Sequence, residues 1–187
     1  SLTATAVGAL ADTQVAALAN QALNYLVTGK PPVRRGTAHP NIVPYQAFAT
    51  KDGYLMLAVG NDRQFADFCQ VAGRAGLAKD ERFASNAARV ANRTTLIPQI
   101  DRLCRQKTTA AWLKALAPAG VPCGPINDLA QLFEEPQVQH RKLRFDLPHP
   151  GGGQVPQVRN PVLFSRTALK YRDPPPLLGQ HTESVLA

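Results

Sequence analysis

The chain has 187 residues, 44% of them hydrophobic and 18% charged, which suits one globular domain or a domain with an extension. Its net charge of +8, from 21 Lys and Arg against 13 Asp and Glu, leaves room for an acidic partner such as nucleic acid or a phosphorylated cofactor. No apolar run reaches the length of about 18 residues that a membrane-spanning helix needs. The opening SLTATAVGAL lacks the basic start of a signal peptide and reads as an internal stretch of a longer chain.

From Asp12 to Thr28, Val15, Leu18, Ala19, Ala22, Leu23, Leu26 and Val27 recur at three and four, which predicts one amphipathic helix with a broad apolar stripe. The helix starts near Thr5 if the pattern is extended backwards, and Gly29 followed by Pro31 and Pro32 stops it. IVPYQAFAT and YLMLAVG are β-rich runs joined by Lys51, Asp52 and Gly53, a hairpin signal with Gly where positive φ is expected. Asp62 is then placed to cap a helix carrying Phe65, Phe68, Cys69 and Ala72. Further helices are predicted over 81–90, 94–106 and 109–117, with Trp112 and Leu116 on one core-facing side of the last.

GVPCGPI, residues 120–126, reads as a bend, after which the character changes. Asp128 starts a short helix that Pro136 interrupts, and short strand candidates alternate with Pro and Gly from Arg144 onward. HPGGGQVPQ is predicted as a turn, PVLFS as a strand, and the last residues as an extended tail entering a helix. The organisation expected is a connecting helix and linker over 1–34, a small α+β domain over 35–125 with an antiparallel sheet, and a strap over 126–187. That strap looks less like a self-contained unit than a segment lying on another body.

The candidates for chemistry are few. Cys69, Cys104 and Cys123 are odd in number and far apart, with no CxxC pair, which argues for a reducing, cytoplasmic setting and against a zinc site. The sequon at Asn92 is then a chance match. Cys123 has Pro and Gly as immediate neighbours and His140 as the nearest His in sequence, so no base accompanies it and it is expected to be dispensable. His39, His140, His149 and His181 show no metal-binding spacing, and the glycines of HPGGGQ lack the strand, helix and Lys of a phosphate loop. The residues therefore predict no metal site and no complete catalytic set. The densest basic segment, residues 89–107, interleaves its cations with Leu96, Ile100, Leu103 and Cys104 and has no aromatic, so it reads as a solvated helix face. A basic nucleic-acid-binding module using that face is the alternative.

One stretch differs. AVGNDRQF, residues 58–65, runs from a strand end through Gly60 into a helix start, displaying backbone N–H groups together with Asn61 and Asp62. The plain alternative is an Asp N-cap.

From ALANQALNYLVTGKPPVRRGTAHPNIVPYQAFATKDGYLMLAVGNDRQF, through GVPCGPINDLAQLFEEPQVQHRKL, to NPVLFS and LLGQHTESVL, the chain resembles the class III CoA-transferases, the CaiB/BaiF group. That group includes formyl-CoA and succinyl-CoA transferases and the α-methylacyl-CoA racemases. The resemblance implies a carboxyl-terminal half, whose strap packs on a Rossmann-like large domain upstream. It implies an aspartate nucleophile in that upstream domain, forming a mixed anhydride and then an aspartyl-CoA thioester. Asp12 matches a helix position after the catalytic segment, so no catalytic residue is expected in this chain. Gly60, Asn61 and Asp62 fall where relatives place a loop over the acyl group, and Asp62 is the nearest match to an acidic residue that racemases supply there. The glycine-rich form of the loop is absent. The resemblance further implies coenzyme A as substrate and product with no resident cofactor, an acyl-CoA donor, a carboxylic acid acceptor and a homodimer, with neither nucleic acid nor membrane as partner. The racemase alternative stays open, because its catalytic pair would also lie upstream.

Overall fold

The computed structural model describes residues 4–187, with side chains from Leu10 onward. The chain divides into two compact units, residues 1–125 and 126–187, and the first includes the leading helices. It is an α+β chain with antiparallel sheets.

Helices α1 (Ala4–Ala17) and α2 (Ala19–Thr28) replace the single long helix expected over 12–28. The break falls at Ala19, whose φ of 45° lies in the left-handed region, and no Gly or Pro there explains it. Gly29 ends α2 as foreseen, with φ 68° and its N–H on Tyr25 O at 2.7 Å, a left-handed C-cap. The apolar stripe predicted for this segment stays open: Val15, Leu18, Leu23, Leu26 and Val27 are all exposed.

Strands β1 (Tyr45–Ala49) and β2 (Tyr54–Ala58) pair as the expected antiparallel hairpin, Tyr45 opposite Ala58 and Ala49 opposite Tyr54. Gly53 does not adopt positive φ. The turn closes instead through Thr50 N–H on Gly53 O at 2.9 Å, while the Asp52 carboxylate accepts the Thr109 N–H at 2.8 Å. Period-two alternation buries Phe48, Leu55 and Leu57 on the inner face.

Five helices and a third strand complete this unit. α3 (Asp62–Val71) buries Phe65, Phe68 and Cys69, the face its spacing predicted. After α4 (Gly76–Lys79), α5 (Asn86–Ala91) is shorter than the helix expected over 81–90, because Ser85 Oγ caps it by accepting from Ala88 N at 3.2 Å. α6 (Arg93–Cys104) turns Leu96, Ile100, Leu103 and Cys104 inward, and α7 (Thr109–Leu116) does the same with Trp112 and Leu116. The Trp112 ring stacks near Phe68 at 6.2 Å, and its Nε1–H donates to Cys104 O at 2.8 Å, so the one polar atom of the ring is satisfied inside the core.

The expected bend at Cys123 needs correcting. Cys123 lies in β3 (Cys123–Pro125), paired antiparallel with β2, Leu57 opposite Cys123. The preceding contact, Ala58 N–H to Pro122 O at 2.9 Å, starts this edge strand, and β2 becomes the central strand of the sheet. A three-residue strand flanked by Pro and Gly carries no periodicity of its own, so only the partner reveals it.

The second unit holds α8 (Leu129–Glu134), α9 (Pro136–His140), an antiparallel pair β4 (Arg144–Pro148) and β5 (Gln154–Val158), and α10 (Thr182–Leu186). Asp128 caps α8 with a full capping box: its carboxylate accepts Gln131 N–H at 2.8 Å, and Gln131 Oε1 accepts Asp128 N–H at 2.9 Å. Pro136 ends one helix and begins the next at its first turn. The turn predicted for HPGGGQVPQ is confined to its first half, and the second half is β5. PVLFS, expected as a strand, is irregular and pairs with no strand among the described residues: Asn160 Oδ1 accepts Val162 N–H at 2.9 Å and turns the chain locally.

Candidate functional site

β2 ends at Ala58, and the chain passes through Val59, Gly60 and Asn61 into α3. Val59 N–H donates to Pro44 O at 3.0 Å, which pins the strand exit to the loop before β1. The N-cap of α3 is Asn61, not Asp62. Asn61 is extended, with φ −151° and ψ 174°, and its Oδ1 accepts Gln64 N–H at 2.9 Å. Gly60 N–H donates to Gln64 Oε1 at 2.7 Å, a reciprocal arrangement close to a capping box. The expected display of free donors is therefore corrected at Gly60, whose N–H is occupied. The N–H groups of Asn61 and Asp62 have no acceptor among the described residues.

Asp62 has another task. Its Oδ1 accepts from Arg89 Nη2 at 2.8 Å, with the Asp62 side chain 56% exposed and that of Arg89 0%. Arg89 Nε donates to Val43 O at 2.6 Å and Nη1 to Phe83 O at 3.0 Å, while the guanidinium lies 4.5 Å from the Phe65 ring centroid. A planar, pre-organised fork is what such a three-way tie requires. Arg89 thus joins four segments: the loop before β1, the start of α3, the turn before α5, and α5 itself. The expectation of a solvated basic face fails here, because this cation is an interior strut.

The same loop has further ties. Asn86 Oδ1 accepts Val43 N–H at 3.2 Å, and Asn86 Nδ2 donates to Asn41 O at 2.8 Å. Arg93 Nη2 donates to Pro40 O at 2.6 Å, and the Arg93 guanidinium also faces His39 O at 3.4 Å. Burial, and then the positive charge of Arg35 close by, pushes the Arg93 guanidinium's pKa down. From α2, Asn24 Oδ1 accepts Asn41 Nδ2–H at 2.9 Å. His39 stacks on Tyr45 with centroids 5.3 Å apart, and its Nδ1 accepts Asn41 N–H at 3.1 Å, so it is the loop-satisfying histidine its sequence position suggested.

Other candidates separate from this site. Burial pushes the Cys69 and Cys104 thiols up to about 12 and raises that of Cys123 as well, which leaves no ready thiolate nucleophile. Among the described residues, no group of three His, Cys, Asp or Glu side chains is arranged to hold a metal. No described helix is long and apolar enough to cross a membrane. A cleft of about 810 Å³ lies beyond the other end of α3, between Gly73, Leu77 and α6. Its one acid, Asp80, is held by Arg82 at 2.7 Å, and Arg102 Nε donates to Pro98 O at 3.1 Å. Among the other basic residues of 89–107, Arg105 pairs with Asp101 at 2.8 Å and Lys107 lies 4.6 Å from the Trp112 ring centroid.

What remains is a turn, 60–62, whose helix-start donors open outward, clamped by a buried Arg to the loop 36–44. The family model for CoA-transferase family III matches residues 4–182. The chain belongs to CoA-transferase family III.

Its similarity to individual members of this CaiB/BaiF-type family is extensive. It is 47% identical over 179 residues to a succinate–glutarate CoA-transferase of Agrobacterium fabrum, covering 96% of this chain and 45% of that protein. Against the succinyl-CoA:glutarate CoA-transferase of Homo sapiens it is 41% identical over 177 residues, covering 95% of this chain and 40% of the relative. A crystal structure of a CaiB/BaiF family protein from Brucella suis superposes with a TM-score of 0.76 at 46% identity, covering 90% of this chain and 43% of that one. This family III chain therefore spans less than half the length of these relatives.

Sequence reasoning placed the turn but missed Arg89, Asn86 and Arg93. A signal for Arg89 was present: it sits in NAARVA among small apolar residues, where a solvated helix face would carry more polar neighbours.

Proposed function

We propose that this chain is the carboxyl-terminal portion of an enzyme that moves CoA from an acyl-CoA to a dicarboxylic acid, with succinyl-CoA and glutarate as a matching pair. The observation that carries the reading is 47% identity, over nearly the whole chain, to a succinate–glutarate CoA-transferase. The transferase names of such relatives favour this reading over the racemase one. In the proposed mechanism an aspartate upstream of this chain attacks the thioester, forming a mixed anhydride and releasing CoA thiolate. The thiolate then attacks the aspartyl carbonyl of the anhydride, giving an aspartyl-CoA thioester and releasing the donor carboxylate. The acceptor carboxylate attacks that thioester, forming a second anhydride and freeing CoA thiolate, which takes the acceptor's acyl group and restores the aspartate. The turn 60–62 lies over the acyl group in this reading. The unpaired N–H groups of Asn61 and Asp62, at the positive end of α3, stabilise oxyanions that develop in each step, and the turn helps to keep water from the anhydride.

Asp62 serves as counter-ion to Arg89 in this scheme and not as an acid. A homodimer belongs to the same proposal, supported by the open apolar side chains of α1 and α2. The decisive experiment supplies the whole protein that carries this chain with succinyl-CoA and glutarate and measures glutaryl-CoA. Formation of glutaryl-CoA is expected, with none from the 187-residue chain alone. Transfer by the isolated chain overturns the upstream nucleophile, and absence of transfer to any dicarboxylate by the whole protein overturns the reading. A Cβ at Gly60 meets only the flexible Gln64 Oε1, at 3.3 Å, so Gly60→Val acts by displacing that cap and is expected to lower turnover by less than the 100-fold or more that loss of a donor to the reacting oxygen typically costs.

A further inference from the structure

Between Thr13 and Lys51 the sequence contains no Asp or Glu, yet it carries Lys30, Arg34, Arg35 and Lys51. The fold folds much of this stretch around one cavity of about 340 Å³, between α2 and residues 30–41. Lys30 and Arg35 line it, with Gln21, Asn24 and Asn41 supplying amides and no carboxylate among the lining residues. Neither the Lys30 ammonium nor the Arg35 guanidinium has a hydrogen-bond or ion-pair partner among the described residues. Arg93, outside the lining but anchored on Pro40 O at 2.6 Å, adds a third positive charge close to Arg35 and cannot swing away without giving up that bond.

Like charges gathered in this way repel, and a fold that holds them together without an acid leaves a positive potential that an anion relieves. The position also matters. Pro40 and Asn41 border the cavity, while Pro44 in the same loop accepts the Val59 N–H beside the turn 60–62. The cavity and the turn are therefore two sides of one tethered loop.

We propose that this cavity is an oxyanion site, in which Lys30 and Arg35 take a carboxylate or phosphate group and the side-chain amides of Asn24 and Asn41 orient it. The inference rests on the CoA-transferase reading for the identity of its occupant. A dicarboxylic acid has one carboxylate that reacts and one that does not, and the second needs a cationic partner. Coenzyme A offers phosphates of the same chemistry. Guanidinium matches either group with paired, charge-assisted N–H donors.

The test uses the ¹⁵N-labelled 187-residue chain at fixed ionic strength, titrated with glutarate, with adenosine 3′,5′-bisphosphate, and with the uncharged glutaramide. Saturable shifts are expected at the Asn24 and Asn41 side-chain amides and at Arg35 Nε–H with at least one of the two anions, and none with glutaramide. Arg35→Gln is expected to weaken that binding about tenfold, with Lys30→Gln acting in the same direction. An unchanged Trp112 indole signal reports that the core is intact in each variant. Saturation by glutarate alone assigns the acid's second carboxylate, saturation by the bisphosphate alone assigns the CoA phosphates, and saturation by both assigns an unselective oxyanion site. No saturable shift with either anion, or equal affinity in Arg35→Gln, overturns the proposal. No turnover is measured, so this failure leaves the CoA-transferase reading standing, and failure of the succinyl-CoA and glutarate assay leaves a positive titration standing.

Discussion

Residues 35–125 and residues 126–187 come from one chain with similar local vocabulary, short helices and one antiparallel hairpin each, yet they are built differently. The first stretch closes on a core in which Phe48, Leu55, Leu57, Phe65, Phe68, Leu96, Ile100, Trp112 and Leu116 are sealed from solvent. The second contains no buried residue, and Leu129, Leu163, Phe164, Leu178, Val185 and Leu186 are exposed. Local signals such as the Asp128 capping box are as good in the second unit as anywhere in the first. Well-formed caps and turns therefore do not by themselves make a core; enough apolar surface must converge from distant parts of the chain. Helix α2 resembles the second unit in this respect, for it buries no residue.

The sharpest way to break this contrast is to truncate one large apolar side chain in each unit. Trp112→Ala is expected to destabilise the first unit by roughly 3–5 kcal/mol in urea unfolding, since it removes a sealed ring and its bond to Cys104 O. Leu178→Ala is expected to change stability by no more than about 0.5 kcal/mol, as exposed positions do. Equal losses from the two substitutions would dissolve the distinction.

Next comes the strut. Arg89→Met keeps much of the buried volume but leaves Val43 O and Phe83 O without their donor, at about 1–3 kcal/mol for each buried acceptor left unpaired. Arg89→Lys is expected to rescue little, because a single ammonium cannot reproduce the fork. Hydrogen exchange at Val59 and Phe65 is expected to rise along with the global loss, since Arg89 ties their segments together. Wild-type stability in Arg89→Met would mean that the loop and α3 are held by packing alone.

A smaller effect depends on pH. The Asp52 carboxyl is held below its usual value, first by the Thr109 backbone N–H that it accepts, with further hydrogen bonds from the Thr109 and Thr50 hydroxyls and with desolvation opposing. A depressed folded-state pKa means that the unfolded chain binds the proton more readily. The stabilisation is therefore present above the unfolded carboxyl value and is lost as pH falls through the folded one. Acid unfolding of wild type below about pH 4 is expected to include this contribution, and Asp52→Asn is expected to remove it and flatten that limb. An unchanged acid limb in Asp52→Asn would show that the hairpin turn and α7 are coupled by other contacts.

The smallest expected effect sharpens the comparison from the other side. Asp128→Ala removes the carboxylate half of the α8 capping box, leaving the backbone N–H of residue 128 on Gln131 Oε1, and is expected to cost about 1 kcal/mol of local helix stability. It should appear as faster exchange of the Gln131 and Leu132 amides, with urea unfolding of the first unit unchanged. A shift in that unfolding would show that the second unit supports the first.

Much of the fold was legible in the chain itself. Phe65, Phe68 and Cys69 on one helix, Leu96, Ile100, Leu103 and Cys104 on another, and Trp112 with Leu116 on a third were all marked by spacing. Gly29 as a stop, Asp128 as a cap and the pairing of 45–49 with 54–58 were marked by residue type. These features depend on neighbours within a few residues, whose geometry the backbone repeat imposes wherever the segment lies. Tertiary structure alone decided the rest. Cys123 became part of a strand because β2 lies beside it, while residues 161–165 pair with no strand among the described residues and stayed irregular. Asp62 gave up the cap to Asn61 and took a partner 27 residues away, while Arg89 reached Val43 O across 46 residues. An ion pair or an edge strand needs two segments brought together by the folding of everything between them, and residue spacing along one segment carries no record of the other.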